Sequence, residues 1–96
     1  MLKFKGKTVL ITGGGSGIGE AMAYQYARKG ANVILTGRRI ETLEKVQKNC
    51  IALGVNSWCK TVDVEKSESI DELAAWIYSE GHLIDFLLLN AGISQR

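Results

Sequence analysis

The sequence predicts an α/β fold with a parallel sheet, built β-α-β-α-β-α-β with strand order 3-2-1-4, half of a doubly wound domain. Three observations lead there. Short β-rich apolar runs alternate with stretches of helical period, and glycines punctuate the changes. The apolar runs are nearly continuous, as expected of strands buried on both faces. Parallel neighbours need a crossover, and a helix stands between each pair of runs to supply one.

The first strand is Thr8-Val9-Leu10-Ile11, closed by a glycine cluster. Ile18 to Arg28 then carries apolar residues at Ile18, Ala21, Met22, Tyr26 and Ala27, an approximate helical stripe stopped by Gly30. Ala31 to Thr36 forms the second strand, broken at Gly37. Leu43, Val46, Cys50 and Leu53 share one face of a second helix, with Gly54 just past its end, where a left-handed residue terminates helices. Val55 to Val62 is the third strand. Ser69-Ile70-Asp71-Glu72 has capping-box spacing, and Ile70, Leu73 and Ile77 give the third helix a face to bury. Gly81 ends that helix, and Ile84 to Leu89 is the fourth strand, apolar except for Asp85.

Given the expected strand order, handedness places the helices. Crossovers between parallel strands are right-handed in about 98% of cases. With the first three strands running outward in order, their two helices lie on one face. A fourth strand returning to the far side of the first sends the third helix to the opposite face. That fourth strand is then an open apolar edge of Phe86, Leu87, Leu88 and Leu89, the kind of edge that ordinarily acquires a neighbour.

Composition bounds the function. Ninety-six residues make a single small domain, residues 1–96, without room for a second catalytic domain. The chain is 46% hydrophobic and 23% charged, which favours a globular fold over disorder. Twelve basic residues against ten acidic ones leave a net charge of +2, too little to attract nucleic acid. No apolar run reaches the roughly 18 residues that a membrane span requires. Lys3, Lys5 and Lys7 precede a short apolar run that ends in glycines, not in a small-residue cleavage site, so no secretory signal is expected. Cys50 and Cys59 form neither a disulfide framework nor a zinc motif, and a cytoplasmic location with reduced thiols follows as the expectation.

Thr12-Gly13-Gly14-Gly15-Ser16-Gly17-Ile18-Gly19 lies between the first strand and the first helix. The first turn of a helix offers unpaired N–H donors and the positive end of the helix dipole, and glycines let a pyrophosphate come close. A P-loop frame from Gly14 fails, because Glu20 and Ala21 stand where Lys and Ser/Thr are needed. G-x-G-x-x-G also fails, since Ile18 or Glu20 falls in its last glycine slot. The pattern that fits is T-G-x-x-x-G-I-G, and here the sequence resembles the short-chain dehydrogenase/reductase family over its whole length. The resemblance implies a Rossmann-type dinucleotide site, in which the backbone around Gly13, Gly15, Gly17, Ile18 and Gly19 cradles adenosine and pyrophosphate. It gives Thr12 a structural role, holding the loop to the later Asn-Ala-Gly turn.

An NAD site usually has Asp or Glu at the end of the second strand, about 20 residues past the glycines. Here Gly37 fills the slot, followed by Arg38 and Arg39. A guanidinium there binds a 2′-phosphate that a carboxylate would repel. The expected cofactor is therefore NADP(H) in preference to NAD, with Arg38 its main reader and the Ser16 hydroxyl a helper. Arg39 is either a second contact or a solvated charge where the next helix begins. Asp63-Val64 follows the third strand; the resemblance makes Asp63 the acceptor for the adenine amino group. Its other reading is a loop aspartate near a helix capped by Ser67 or Ser69. Asn90-Ala91-Gly92 resembles the family's Asn-Asn-Ala-Gly turn with Leu89 in the first Asn slot. Ala91 and Gly92 would admit the cofactor, while the Asn90 amide ties strands together. His82 is expected at the surface, and Trp58, Trp76, Cys50 and Cys59 in packing.

The resemblance further implies hydride transfer between nicotinamide and a carbonyl or secondary alcohol, a small-molecule substrate and a homo-oligomer. The family's catalytic Tyr-x-x-x-Lys does not occur: Tyr24 has Arg28 four residues on, Tyr26 has Gly30 and Tyr78 has His82. The expectation is an amino-terminal, cofactor-binding piece ending at Arg96 and inactive by itself. The alternative is a non-catalytic module that binds dinucleotide or pairs through its open sheet edge.

Overall fold

A computed structural model describes residues 3–15, 17–63 and 65–90. Seven elements follow one another: β1 (Thr8–Thr12), α1 (Gly17–Arg28), β2 (Asn32–Gly37), α2 (Ile40–Ala52), β3 (Ser57–Thr61), α3 (Ser67–Ser79) and β4 (Phe86–Leu89). The four strands form one parallel sheet in the order β3-β2-β1-β4, the order expected from the sequence. Val9 pairs with Val33 and Phe86, while Ile34 pairs with Trp58, so the strands step across the sheet without a bulge.

Alternation along each strand divides the side chains between two layers. Val9, Ile11, Val33 and Leu35 face α1 and α2, where they join Ala23, Ala27, Leu43, Val46 and Cys50 in one fully buried cluster. The stripe that α1 buries is Gly19, Ala23 and Ala27, whereas Ile18 is 71% exposed and Ala21 is also outside. This corrects the stripe read from the sequence. Small residues let the helix backbone approach the sheet closely, and hydrophobic periodicity underweights them. On α2, Leu43, Val46 and Cys50 are buried as expected, while Leu53 is the half-exposed C-cap, followed by Gly54 at φ +101°.

The opposite layer is thinner. Leu10 and Ile34 are buried there, but α3 is its only helix among the described residues. No residue of α3 is fully buried: Leu73, Trp76 and Ile77 are half-covered, and Ile70 is 47% exposed. The expected buried face is thus apolar but incompletely covered. Its capping box is also displaced, since the helix begins at Ser67 with Lys66 as N-cap and no side-chain cap. His82 is not a surface residue either. Its ring lies 4.4 Å from that of Trp58 and 5.1 Å from that of Trp76, filling the gap between β3 and α3.

β4 is clasped to β1 at its start, where Asp85 N–H donates to Thr8 O and Thr8 N–H donates to Asp85 Oδ2, both at 2.9 Å. The single polar residue of that run therefore fixes the register. Beyond it, Leu87 and Leu89 are largely exposed on the thin face of the sheet. No helix among the described residues is long and apolar enough to cross a membrane.

Candidate dinucleotide-binding site

The carboxyl ends of all four strands lie along one edge of the sheet. Open α/β sheets bind ligands at such an edge, where the strand order reverses. Here the reversal falls at β1, which has β2 on one side and β4 on the other. The glycine loop leaves β1 at that point.

The loop is held from three sides. Gly14 N–H donates to Thr36 O at 3.0 Å, prolonging the β1–β2 ladder by one bond. From β4, the Asn90 side-chain amide donates to Gly13 O at 3.1 Å. The Thr12 hydroxyl lies 3.4 Å from Leu88 O and 3.3 Å from Asn90 O, sharing its proton between the two carbonyls. Thr12 and Asn90 therefore tie the loop to β4, the roles the sequence resemblance implied for them. From α2, Thr42 donates its hydroxyl to Arg39 O at 3.0 Å and packs against Gly15. Leu43 fills the space between Gly15 and Gly37.

Most of the glycines are demanded by these contacts. A Cβ on Gly13 would lie 2.7 Å from Asn90 O, and one on Gly14 would lie 2.6 Å from Leu35 Cδ2. A Cβ on Gly15 would strike Thr42, and one on Gly19 would strike Gly13 O and the Asn90 amide. Gly17 differs, since among the described residues outside its own turn nothing lies within 4 Å of a Cβ built there, and its φ of +60° is what calls for glycine. Gly17 and the exposed Ile18 thus open α1 on free space, with the unpaired N–H groups of a helix start beside them. A phosphate fits this cradle on both steric and electrostatic grounds.

A cleft of about 540 Å³ continues the same edge from β2 to the start of α3. Arg38 and Lys66 supply its cations, and Asp63, Glu68 and Glu72 its carboxylates. Val62 N–H donates to Gly37 O at 2.7 Å, which keeps the two strand ends side by side, and Arg38 and Asp63 line one opening. Asp63 is fixed twice: Glu65 N–H donates to its Oδ1 at 3.0 Å, and its own N–H donates to Ser69 Oγ at 2.8 Å. Ser69 thus serves the turn that carries Asp63 and does not cap α3. Sequence spacing pointed only to a cap, because the same hydroxyl suits either partner.

Of the residues singled out from sequence, Gly13, Gly15, Gly17, Ile18, Gly19 and Asn90 gather at the glycine loop, and Arg38 and Asp63 at the cleft. Ser16, Val64, Ala91 and Gly92 lie outside the described residues. Arg39 is exposed at the N-cap of α2 and does not line the cleft. Among the described residues no group of His, Cys, Asp and Glu could hold a metal ion.

The sequence model of the family described as short chain dehydrogenase matches residues 7–96. The chain belongs to that family. Among curated relatives of the chain is the dehydrogenase/reductase SDR family protein 7-like of Drosophila melanogaster, 41% identical over 95 residues, or 95% of this chain and 29% of the relative. A metagenomic short-chain oxidoreductase solved in complex with NADP superposes with a TM-score of 0.82 at 30% identity, covering 88% of this chain and 38% of that one. NAD+-bound xylitol dehydrogenase superposes with a TM-score of 0.79 at 35% identity, covering 88% of this chain and 33% of that one. The chain therefore spans about a third of the length of the proteins it matches.

Proposed function

We propose that this chain is the cofactor-binding part of an NADP-dependent short-chain oxidoreductase, one that moves a hydride between nicotinamide and a carbonyl or secondary alcohol. Similar structures hold either NADP or NAD+, so the preference rests on residues of this chain. The observation that carries it is the cleft that Arg38 and Asp63 both line, beside the glycine cradle. Arg38 offers a guanidinium to a 2′-phosphate, and Gly37 stands in the slot where an NAD site has its carboxylate. Asp63, held by Glu65 and Ser69, accepts from the exocyclic amino group of adenine. The open start of α1 at Gly17 and Ile18 takes the diphosphate.

The bound dinucleotide supplies the hydride donor or acceptor, and this chain binds and orients it. None of the three tyrosines has a lysine four residues on, so the 96 residues bind cofactor without turning over substrate. Titration of NADPH and NADH against the chain and against Arg38→Glu tests the proposal. The unmodified chain is expected to favour NADPH and the variant to lose that preference. A variant that keeps it removes Arg38 as the reader.

The exposure of Leu87 and Leu89 favours one second reading, a module that pairs through β4. Sedimentation separates the two. Pairing through β4 predicts a dimer that Leu87→Lys abolishes, whether or not dinucleotide is present.

A further inference from the structure

We infer that Ser69 is a positioning residue for base recognition, acting through the Asp63 main chain. The inference rests on the reading of Asp63 as the adenine-amino acceptor and adds the group that aims it. Ser69 sits in the first turn of α3, six residues beyond Asp63, and both line the cleft. Its Oγ accepts the Asp63 N–H at 2.8 Å, while Asp63 Oδ1 accepts the Glu65 N–H at 3.0 Å. The first bond fixes where the Asp63 backbone leaves β3, and the second fixes the rotation of its carboxylate. Together they hold one carboxylate in the cleft that Arg38 also lines. Without the Ser69 acceptor, the half-buried Asp63 N–H loses its partner and the turn is free to rotate the carboxylate off the base.

Positioning of this kind shows in the choice between bases. Hypoxanthine presents a carbonyl where adenine presents its amino group, so a correctly aimed carboxylate attracts one and repels the other. The experiment is equilibrium titration of the chain with NADPH and with its hypoxanthine analogue, comparing Ser69→Ala, Ser69→Cys, Ser69→Thr, Ser67→Ala and Asp63→Ala. The unmodified chain should prefer adenine by about tenfold or more, the worth of a hydrogen bond to a charged group. Asp63→Ala should bring the ratio close to parity. Ser69→Ala and Ser69→Cys, which offer no acceptor or a poor one, should do the same, while Ser69→Thr and Ser67→Ala keep the preference. Alanine is a better helix former than serine, and cysteine is nearly isosteric with it, so a folded variant is secured by one or the other.

If Ser69→Ala weakens both ligands equally, or leaves the ratio intact while Asp63→Ala abolishes it, the positioning role is overturned and the reading of Asp63 survives. If the unmodified chain binds neither ligand, or Asp63→Ala leaves the preference untouched, the reading of Asp63 fails and takes this inference with it.

Discussion

The side-chain amide of Asn90 donates to the carbonyl of Gly13 at 3.1 Å, joining the end of β4 to the loop that leaves β1 across 77 positions of sequence. The bond closes the glycine cradle from the side that local sequence cannot supply. Asn90→Ala is expected to lower the unfolding free energy by about 1–2 kcal/mol and to weaken NADPH binding. Urea denaturation and titration check the two effects, and unchanged values for both would show that the bond holds nothing.

Two glycines of the same loop should respond differently to alanine. At Gly19 the new methyl would strike Gly13 O and the Asn90 amide, both fixed by the bond just described. Overpacking costs about 1–3 kcal/mol and occasionally more; a clash with two fixed groups lies at the top of that range, well beyond the roughly 1 kcal/mol of helix propensity that alanine brings. At Gly17 the methyl meets none of the described residues, and the left-handed backbone is what opposes it, at about 1–2 kcal/mol. Gly19→Ala should therefore be the more damaging to thermal stability. The reverse order would contradict this packing.

Leu43 is fully buried and touches both Gly15 and Gly37. Leu43→Ala should cost about 2–5 kcal/mol, as for other core leucines. It should also loosen the loop and the end of β2 together, so dinucleotide affinity falls along with stability. A variant as stable as the parent in a urea titration would show that Leu43 does not fill this space.

Burial pushes the Cys50 thiol from 9.0 up to about 11. Between those values the unfolded chain has released its proton and the folded chain has not. Stability is therefore whole below pH 9 and declines as pH rises toward 11, by about 2–3 kcal/mol in all. Desolvation raises Cys59 as well, and Glu44 nearby adds to it. Denaturation curves across alkaline pH check the sign, and Cys50→Ala should flatten the decline. At neutral pH the buried Cys50 thiol should resist alkylation until the chain unfolds.

Strand order and the buried faces of β1, β2 and α2 were legible because apolar runs and crossover handedness depend only on local pattern. α3 was not, because the period of Ile70, Leu73 and Ile77 shows which face is apolar but not how much material covers it. The stripe of α1 was misplaced for the opposite reason, since Gly19 and Ala23 bury through smallness and Ile18 stays outside despite its hydrophobicity. His82 had no partner at motif spacing, yet Trp58 and Trp76 enclose it from distant positions. At the site, the family resemblance pointed to Gly13, Asp63 and Asn90, and the missing carboxylate after β2 pointed to Arg38. Ser69 and Leu43 escaped notice as site residues, because their effect passes through a backbone amide and through packing.

The clasps from Asp85 to Thr8 and from Asn90 to Gly13 have a consequence for synthesis. During translation the glycine loop emerges early, but its last tether is encoded some eighty codons later, and domains form only as their distant partners leave the ribosome. Until then α1 and the first two strands can associate while the phosphate cradle stays unfinished. A nascent chain should thus gain affinity for dinucleotide abruptly, once the segment through Asn90 has cleared the exit tunnel.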